Sequence, residues 1–515
     1  MAEPLSPSFF SQVSDLVAER MGLHFPPPRW PDLEKGFRSA ARELGFSDAA
    51  SCIQWFLSSP LTRREIETLA SHLTVGETYF FRDPQSFKIL EERILPELIE
   101  KRRAADRRLR IWSAGCATGE EPYSVAILLN EILPDLRDWR ITILATDINP
   151  RFLERAAKAV YGDWSFRGVP EAVKERYFVK RNNRFEIRSD IKRMVTFSYL
   201  NLVEDIYPSL LNNTNAMDLI FCRNVLMYFA PEQAKQAIRR FHQALVNGGW
   251  LVVSPSETSH TLFARFSAAN FPAAILYQKN GSPAPPRFCA TEEPAAPAAP
   301  PAASPTPDPE ASPEAERETS ALAAPQSAGD ESEGSYARAV KLYDLGLYEE
   351  AAQALSAVAE REPDDGKAMA LLARACANQG KLAQALQWCE RAMAADKLNP
   401  GLHILHATIL QEQGALAEAN RALKRALYLD QNLALAHFAL ATLARRQGKA
   451  KEARRHLENA RRLLSSYPKE QILPESDGLV AGRLMEMISV AAPPNAGSSK
   501  KNLRPRAADD ERSRG

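Results

Sequence analysis

The chain has 515 residues, room for roughly three domains of about 150 residues each. Its 65 Lys and Arg against 64 Asp and Glu exclude a nucleic-acid coat on global charge, and no run approaches the about 18 apolar residues of a membrane span, so neither nucleic acid nor direct membrane insertion is expected. The start, Met1-Ala2-Glu3-Pro4, lacks the basic and apolar stretches of a secretory signal, and six cysteines without a C-x-x-C pair fit reduced thiols in a cytoplasmic protein with no structural zinc.

Residues 5–100 are expected to form an N-terminal helical subdomain. Between Asp32 and Gly45, apolar Leu33, Phe37, Ala41 and Leu44 alternate with Lys35, Arg38 and Arg42, which share one helix face. This basic stripe is either a solvated face or a surface that meets an acidic partner. From Leu109 the pattern changes to short apolar runs separated by helix-length segments: Leu109–Ser113, Ile141–Ala145, Met217–Phe221 and Trp250–Val253. That alternation predicts an α/β domain over 101–279, with a parallel sheet and crossover helices.

The first run ends in Ser113-Ala-Gly-Cys-Ala-Thr-Gly-Glu-Glu-Pro-Tyr-Ser124, leading into a helix over Val125–Asn130. Small residues there admit a ligand to the backbone at the sheet's carboxyl edge. Glu120 and Glu121 in the same turn would repel a pyrophosphate, which favours a cationic cofactor without phosphate. The second run ends in Asp147, which either accepts both hydroxyls of a ribose or caps the helix after Asn149 and Pro150. A ribose-binding Asp without a phosphate cradle suggests S-adenosylmethionine. No metal cluster is expected, and Cys116 and Cys222 have no basic neighbour to activate a thiolate.

From Gly281 to Gly334 the chain holds 12 of its 36 prolines, ten acidic and two basic residues, the composition of a disordered linker over 280–334. Beyond it, Gly346, Gly380, Gly414 and Gly448 recur every 34 residues, each followed by an alanine five positions on (Ala351, Ala385, Ala419, Ala453). A glycine turn between two helices, with small residues where they touch, is the pattern of tetratricopeptide repeats. The expectation is an all-α solenoid over 335–465, joined to the α/β domain by a tether without fixed geometry and holding a peptide or protein partner. Residues 491–515 are expected to be a disordered tail.

Several motifs in order resemble one family: Thr78-Tyr-Phe-Phe-Arg82, Trp112-Ser-Ala-Gly with Thr118-Gly-Glu-Glu-Pro-Tyr-Ser124, Ala145-Thr-Asp147-Ile, and Ile220-Phe-Cys-Arg-Asn224 with Met227-Tyr-Phe229. Together they look like the chemotaxis-receptor glutamate methyltransferases of the CheR family, over about 5–279. The resemblance implies a Rossmann-like domain with a small β-subdomain, which Tyr177–Phe197 is expected to supply. It implies transfer of a methyl from S-adenosylmethionine to glutamates on the cytoplasmic helices of methyl-accepting chemoreceptors. The family's cofactor contacts fall on Thr78, Arg82, Glu121, Asp147, Asn201, Leu202, Arg223 and Asn224. Arg82 and Tyr228 match the side chains beside the transferred methyl. Gly76 departs from the Asn common in the family, and Ser254-Pro-Ser-Glu257 from Gly-His-Ser-Glu. The competing functions are a non-catalytic adenosylmethionine-sensing scaffold and a methyltransferase on another substrate class.

Overall fold

The computed structural model describes residues 7–272, 274–279, 328–474 and 479–491. The expected linker over 280–327 and the tail beyond 491 lie outside these described residues. Four helices open the chain: Pro7–Met21, Trp30–Leu44, Ala49–Ser58 and Arg63–Leu73. Their starts are set locally, by Asp48 accepting from the Ser51 N–H and by a capping box between Thr62 and Glu65. Apolar faces built from Val13, Val17, Leu33, Phe37, Ile53, Phe56 and Leu69 form their shared core. Lys35, Arg38 and Arg42 lie on the exposed side, with Arg38 paired to Glu34.

The strands are β1 (Arg108–Ala114), β2 (Arg140–Asp147), β3 (Val160–Tyr161), β4 (Phe178–Arg181), β5 (Arg184–Ile187), β6 (Val195–Tyr199), β7 (Met217–Phe221), β8 (Leu245–Val252), β9 (Phe266–Phe271) and β10 (Ala274–Lys279). Seven form the main sheet in the order β6-β2-β1-β7-β8-β10-β9. Its first five members are parallel, and β10 runs antiparallel to both β8 and β9. Every residue of β1 and β7 is buried, as apolar runs covered on both faces require. Because β1 sits between β2 and β7, the crossovers leave it in opposite directions and open a crevice at its carboxyl end.

The small subdomain differs from the expected Tyr177–Phe197. It is the sheet β3-β5-β4, beginning at Val160, whereas β6 pairs in parallel with β2 as the main sheet's edge. Its hairpin turns at Asn182 and Asn183, both at positive φ (46° and 58°), where two asparagines tolerate the left-handed region without glycine. An aromatic cluster seats this subdomain: Phe80 lies edge-on to Tyr161 and Phe178, each at 4.9 Å between ring centroids. It thereby anchors the segment from Thr78 to Arg82.

The C-terminal block is a succession of helical hairpins, running from Ala328–Asp344 to Ala450–Leu464, with a further helix at Ala481–Ala491. Residues 328–334, expected as linker, thus belong to the first helix. The period does what its spacing predicts: Gly346, Gly380, Gly414 and Gly448 turn the chain at φ between 74° and 80°. Ala351, Ala385, Ala419 and Ala453 are buried at the helix contacts.

The expected free tethering is corrected by how this block sits. It docks on the amino edge of the parallel sheet, opposite the crevice. Glu412 is paired with Arg108 at 2.9 Å and with Arg110 at 3.8 Å, all three side chains at most 6% exposed. The Asn215 amide donates to Glu412 at 3.0 Å, and Arg140 donates to the Gln413 carbonyl. Gln243 donates to the Leu345 carbonyl at 2.9 Å, and a side chain at Gly346 would collide with Gln243. Leu210 and Leu211, in the β6–β7 loop, pack on apolar clusters of the repeat helices. Charges buried this far from water persist only when paired and hydrogen-bonded, as these are.

Candidate functional site

A cleft of about 1040 Å³, counting its open mouth, lies at the carboxyl edge of β1, β2 and β7. Thr78, Arg82, Glu121, Asp147, Asn201, Leu202, Arg223, Asn224 and Tyr228 all line it, so the structure brings together every candidate that the motifs singled out.

They come from several separate stretches of the chain. Gly115, at φ 77°, follows β1, and a Cβ there would collide with Val225, so the glycine lets the two strand-end loops meet. The chain then swings through Ala117, itself at φ 45°, whose N–H donates to Asp147 Oδ2 at 2.9 Å. Asp147 Oδ1 accepts from the Asn149 N–H at 2.8 Å. The helix Pro150–Lys158 is capped by Asn149, whose side chain accepts from the N–H groups of Arg151 and Phe152. The alternative role of Asp147 as that helix's cap therefore belongs to Asn149. Asp147 keeps one committed hydrogen bond on each oxygen, and its remaining lone pairs are available for two hydroxyls.

Glu121 stands in the first turn of the helix Glu120–Ile132, which begins earlier than the expected Val125. It accepts from the Ser113 hydroxyl at 2.7 Å and pairs with Arg223 at 3.4 Å. Arg223 also pairs with Asp83 at 3.4 Å. Burial raises the Glu121 carboxyl above its ordinary range while Arg223 opposes that rise. Burial likewise lifts Asp147 to about 6, against the pull of the Asn149 and Ala117 N–H groups. The buried Cys116 and Cys222 thiols are raised well above their ordinary value by desolvation, in keeping with packing residues.

Arg82 sits between two residues in the left-handed region, Phe81 at φ 54° and Asp83 at φ 61°, and donates to the Glu77 carbonyl at 2.6 Å. Asn224, at φ 56°, is another, as is Ala117. Non-glycine residues held at positive φ around one cleft mark backbone that the surroundings over-determine. For Asn224 the surroundings are Glu257. This buried carboxylate accepts from the N–H groups of Asn224 at 2.7 Å, Val225 at 2.7 Å, Met227 at 3.1 Å and Ser254 at 3.0 Å. It fixes the turn that presents Asn224 and Tyr228. The motif Ser254-Pro-Ser-Glu257 stands out only as a departure from Gly-His-Ser-Glu, with no role for Glu257, although Ser254-x-x-Glu257 is a capping-box pattern that signals a local anchor.

The N-terminal helices close the cleft's remaining side. Leu23 bridges Phe229 in antiparallel fashion, and the His24 N–H donates to the Tyr228 carbonyl at 2.7 Å. Leu23, Phe25 and Arg29 consequently line the cleft, and the Arg29 guanidinium lies 5.8 Å from the Tyr228 ring centre. Nothing in the spacing of these residues pointed to the site. The stripe of Lys35, Arg38 and Arg42 is not part of the lining.

The profile of the CheR methyltransferase SAM-binding domain matches residues 76–275, and a tetratricopeptide repeat profile matches 336–400. A chemotaxis protein methyltransferase of Borreliella burgdorferi is 31% identical over 251 residues, covering 48% of this chain and 87% of that protein. The chain belongs to the CheR methyltransferase family. A probable chemotaxis protein methyltransferase of Rhizobium etli is 34% identical over 220 residues, 42% of this chain and 80% of that one. Chemotaxis protein methyltransferase 1 of Pseudomonas aeruginosa is 35% identical over 218 residues, 41% of this chain and 77% of that one. Like other CheR proteins, the chain is an S-adenosylmethionine-dependent methyltransferase of the chemotaxis type, here with a tetratricopeptide block at its C-terminal side.

The cleft's chemistry fits that co-substrate. Two carboxylates, the buried Asp147 and the partly buried Glu121, suit hydroxyls and a cationic ligand and oppose a phosphate. The half-exposed Arg82 and Arg29 bring positive charge to the same cleft.

Proposed function

We propose that this CheR protein methylates glutamate side chains on the cytoplasmic helices of chemoreceptor-type signalling proteins, in the cytoplasm. One observation carries the reading: a single cleft joins the carboxylates of Asp147 and Glu121 to half-exposed Arg82 and Tyr228, which offers negative charge to a cationic donor and a guanidinium to an anionic acceptor. S-adenosylmethionine supplies an electrophilic methyl on a positive sulfur. A glutamate carboxylate is already ionised near pH 7, so it forms the new C–O bond as the C–S bond breaks and the electron pair returns to sulfur, with no proton to move. The protein's task is then alignment and charge placement.

In this reading Asp147 takes the ribose hydroxyls, while Asn201 and Leu202 border the adenosine. Glu121, Arg223 and Thr78 surround the amino-acid end, and Asn224 lies beside them. Arg82 orients a carboxylate with its planar fork, and Tyr228 sets its hydroxyl near the transferred methyl. Acceptance of labelled methyl from S-adenosylmethionine by a receptor cytoplasmic fragment tests the proposal. Base-labile label on glutamate is the expected product. Base-stable label, or transfer only to nucleic acid or a small molecule, would refute it, and binding without transfer would leave the sensing scaffold.

A further inference from the structure

The docked C-terminal block reaches the cofactor cleft through two side chains. Asn201, at 1% exposure, lines the cleft, and its amide donates to the Arg20 carbonyl at 2.8 Å and to Glu204 Oε1 at 3.2 Å. The other oxygen of Glu204 is paired at 2.9 Å with Arg483, which stands on the helix Ala481–Ala491 after the last repeat. That helix is no loose end. Leu484 and Ile488 are fully buried in the apolar cluster of the last repeats, the same cluster that receives Leu211. From the helix Pro231–Ala244, Arg240 grips the same segment by donating to Asp205 at 2.9 Å and to the Val203 carbonyl at 3.2 Å. The strand-end segment Asn201–Asp205 is thus held by both a catalytic-domain helix and a helix that belongs to the repeat block.

We propose that Arg483 is a positioning residue for the cofactor cleft, acting through Glu204 on Asn201, so that the docked repeat block sets the affinity for the adenosyl ligand. This rests on the reading that Asn201 borders that ligand. An ionic partner on one oxygen of Glu204 holds the other toward the Asn201 amide and so keeps the amide from turning. Without Arg483, the Glu204 carboxylate, at 29% exposure, is drawn to water and the amide loses an acceptor. Coupling of this kind is reciprocal: a filled cleft also favours the docked block, and a partner that lifts the block away weakens the cleft.

The test is a double-mutant cycle in the full chain, with S-adenosylhomocysteine titrated calorimetrically well below the melting temperature. Arg483→Ala is expected to weaken binding about 3- to 10-fold, Arg483→Lys to retain most of it, and Arg483→Ala to add nothing in an Asn201→Ala background. A lower melting temperature with unchanged affinity would mean that Arg483 only supports the fold, and the proposal fails. Equal weakening in both backgrounds also overturns it, since Arg483 would then act elsewhere. If Asn201→Ala alone leaves affinity unchanged, the assignment of Asn201 to the cofactor fails first, and the relay with it. Should Arg483→Ala not fold, Glu204→Gln, which keeps the shape and removes the charge, carries the same comparison.

Discussion

Replacing Asp147 by Asn separates its charge from its shape. Burial lifts the carboxyl from 3.8 to about 6, so the native state holds the proton more tightly than the unfolded chain does. The stability this group contributes is therefore present at low pH and is lost as pH rises between 3.8 and about 6. That difference corresponds to about 3 kcal/mol against the fold near neutral pH. Asn removes the buried charge, but its amide cannot accept from both Ala117 and Asn149, and one N–H left without a partner costs about 1 to 3 kcal/mol. The two effects nearly offset, so Asp147→Asn is expected to unfold within about 2 kcal/mol of the parent near pH 7. Affinity should respond far more. A carboxylate with a pKa of about 6 is roughly one-tenth ionised at about pH 5, so affinity for S-adenosylhomocysteine should fall about tenfold between about pH 8 and about pH 5. The Glu121 carboxyl, also raised, adds in the same direction, so the difference between the parent's slope and the variant's reports Asp147. Calorimetric titrations across that window measure both. A flat parent profile, or the same slope in Asp147→Asn, would refute the assignment of Asp147 as an ionised acceptor for the ligand.

Arg82→Ala and Tyr228→Phe are expected to lower methyl transfer while far-ultraviolet circular dichroism and melting stay near the parent's, because neither side chain is fully buried; full turnover in both variants would remove them from the reaction. Charge reversal at Lys35 and Arg42, exposed beside the Arg38–Glu34 pair, should slow methylation of an acidic receptor fragment and flatten its salt dependence, and equal rates across ionic strength would return the stripe to a solvated face. Glu412→Ala strips the carboxylate from Arg108 and Arg110 and should destabilise the docked form by about 3 to 5 kcal/mol, read as faster hydrogen exchange over residues 206–216. Unchanged protection there would mean that the apolar contacts of Leu210 and Leu211 hold the dock without the ion cluster.

The features legible in the sequence are those whose cause is local or periodic. Four glycines at equal spacing announce the helical hairpins, because each must turn at positive φ at the same place in its repeat. The strand-end motifs announce the cleft, because a sheet of this order gathers the carboxyl ends of β1, β2 and β7 whatever the loops between them do. The expected small subdomain over Tyr177–Phe197 takes in the start of β6, residues 195–197, because an edge strand with one exposed face carries a shorter apolar run than β1 or β7. Asn149 hid behind Asp147 for a different reason: both residues have cap chemistry, and only the backbone direction decides which one bonds the first turn of the helix.

Contacts between distant stretches leave no period to read. Arg108 and Glu412 are 304 positions apart, and each looks in isolation like an ordinary surface charge. An acidic, proline-rich span argued for a tether, and composition is a sound guide to how such a span behaves by itself. It carries no information on whether the bodies at its two ends have complementary faces. Here they do: two arginines at the start of β1 meet one glutamate at the end of a repeat helix, and two leucines from the β6–β7 loop enter the repeats' apolar clusters. That loop is continuous with Asn201 and Leu202, so one stretch of chain has its first residues in the cofactor cleft and its middle in the repeats. A partner that competes for the surface holding Leu210 and Leu211 would therefore act on the same segment that borders the ligand, and its effect should appear in cofactor affinity before it appears in recognition of the methyl acceptor.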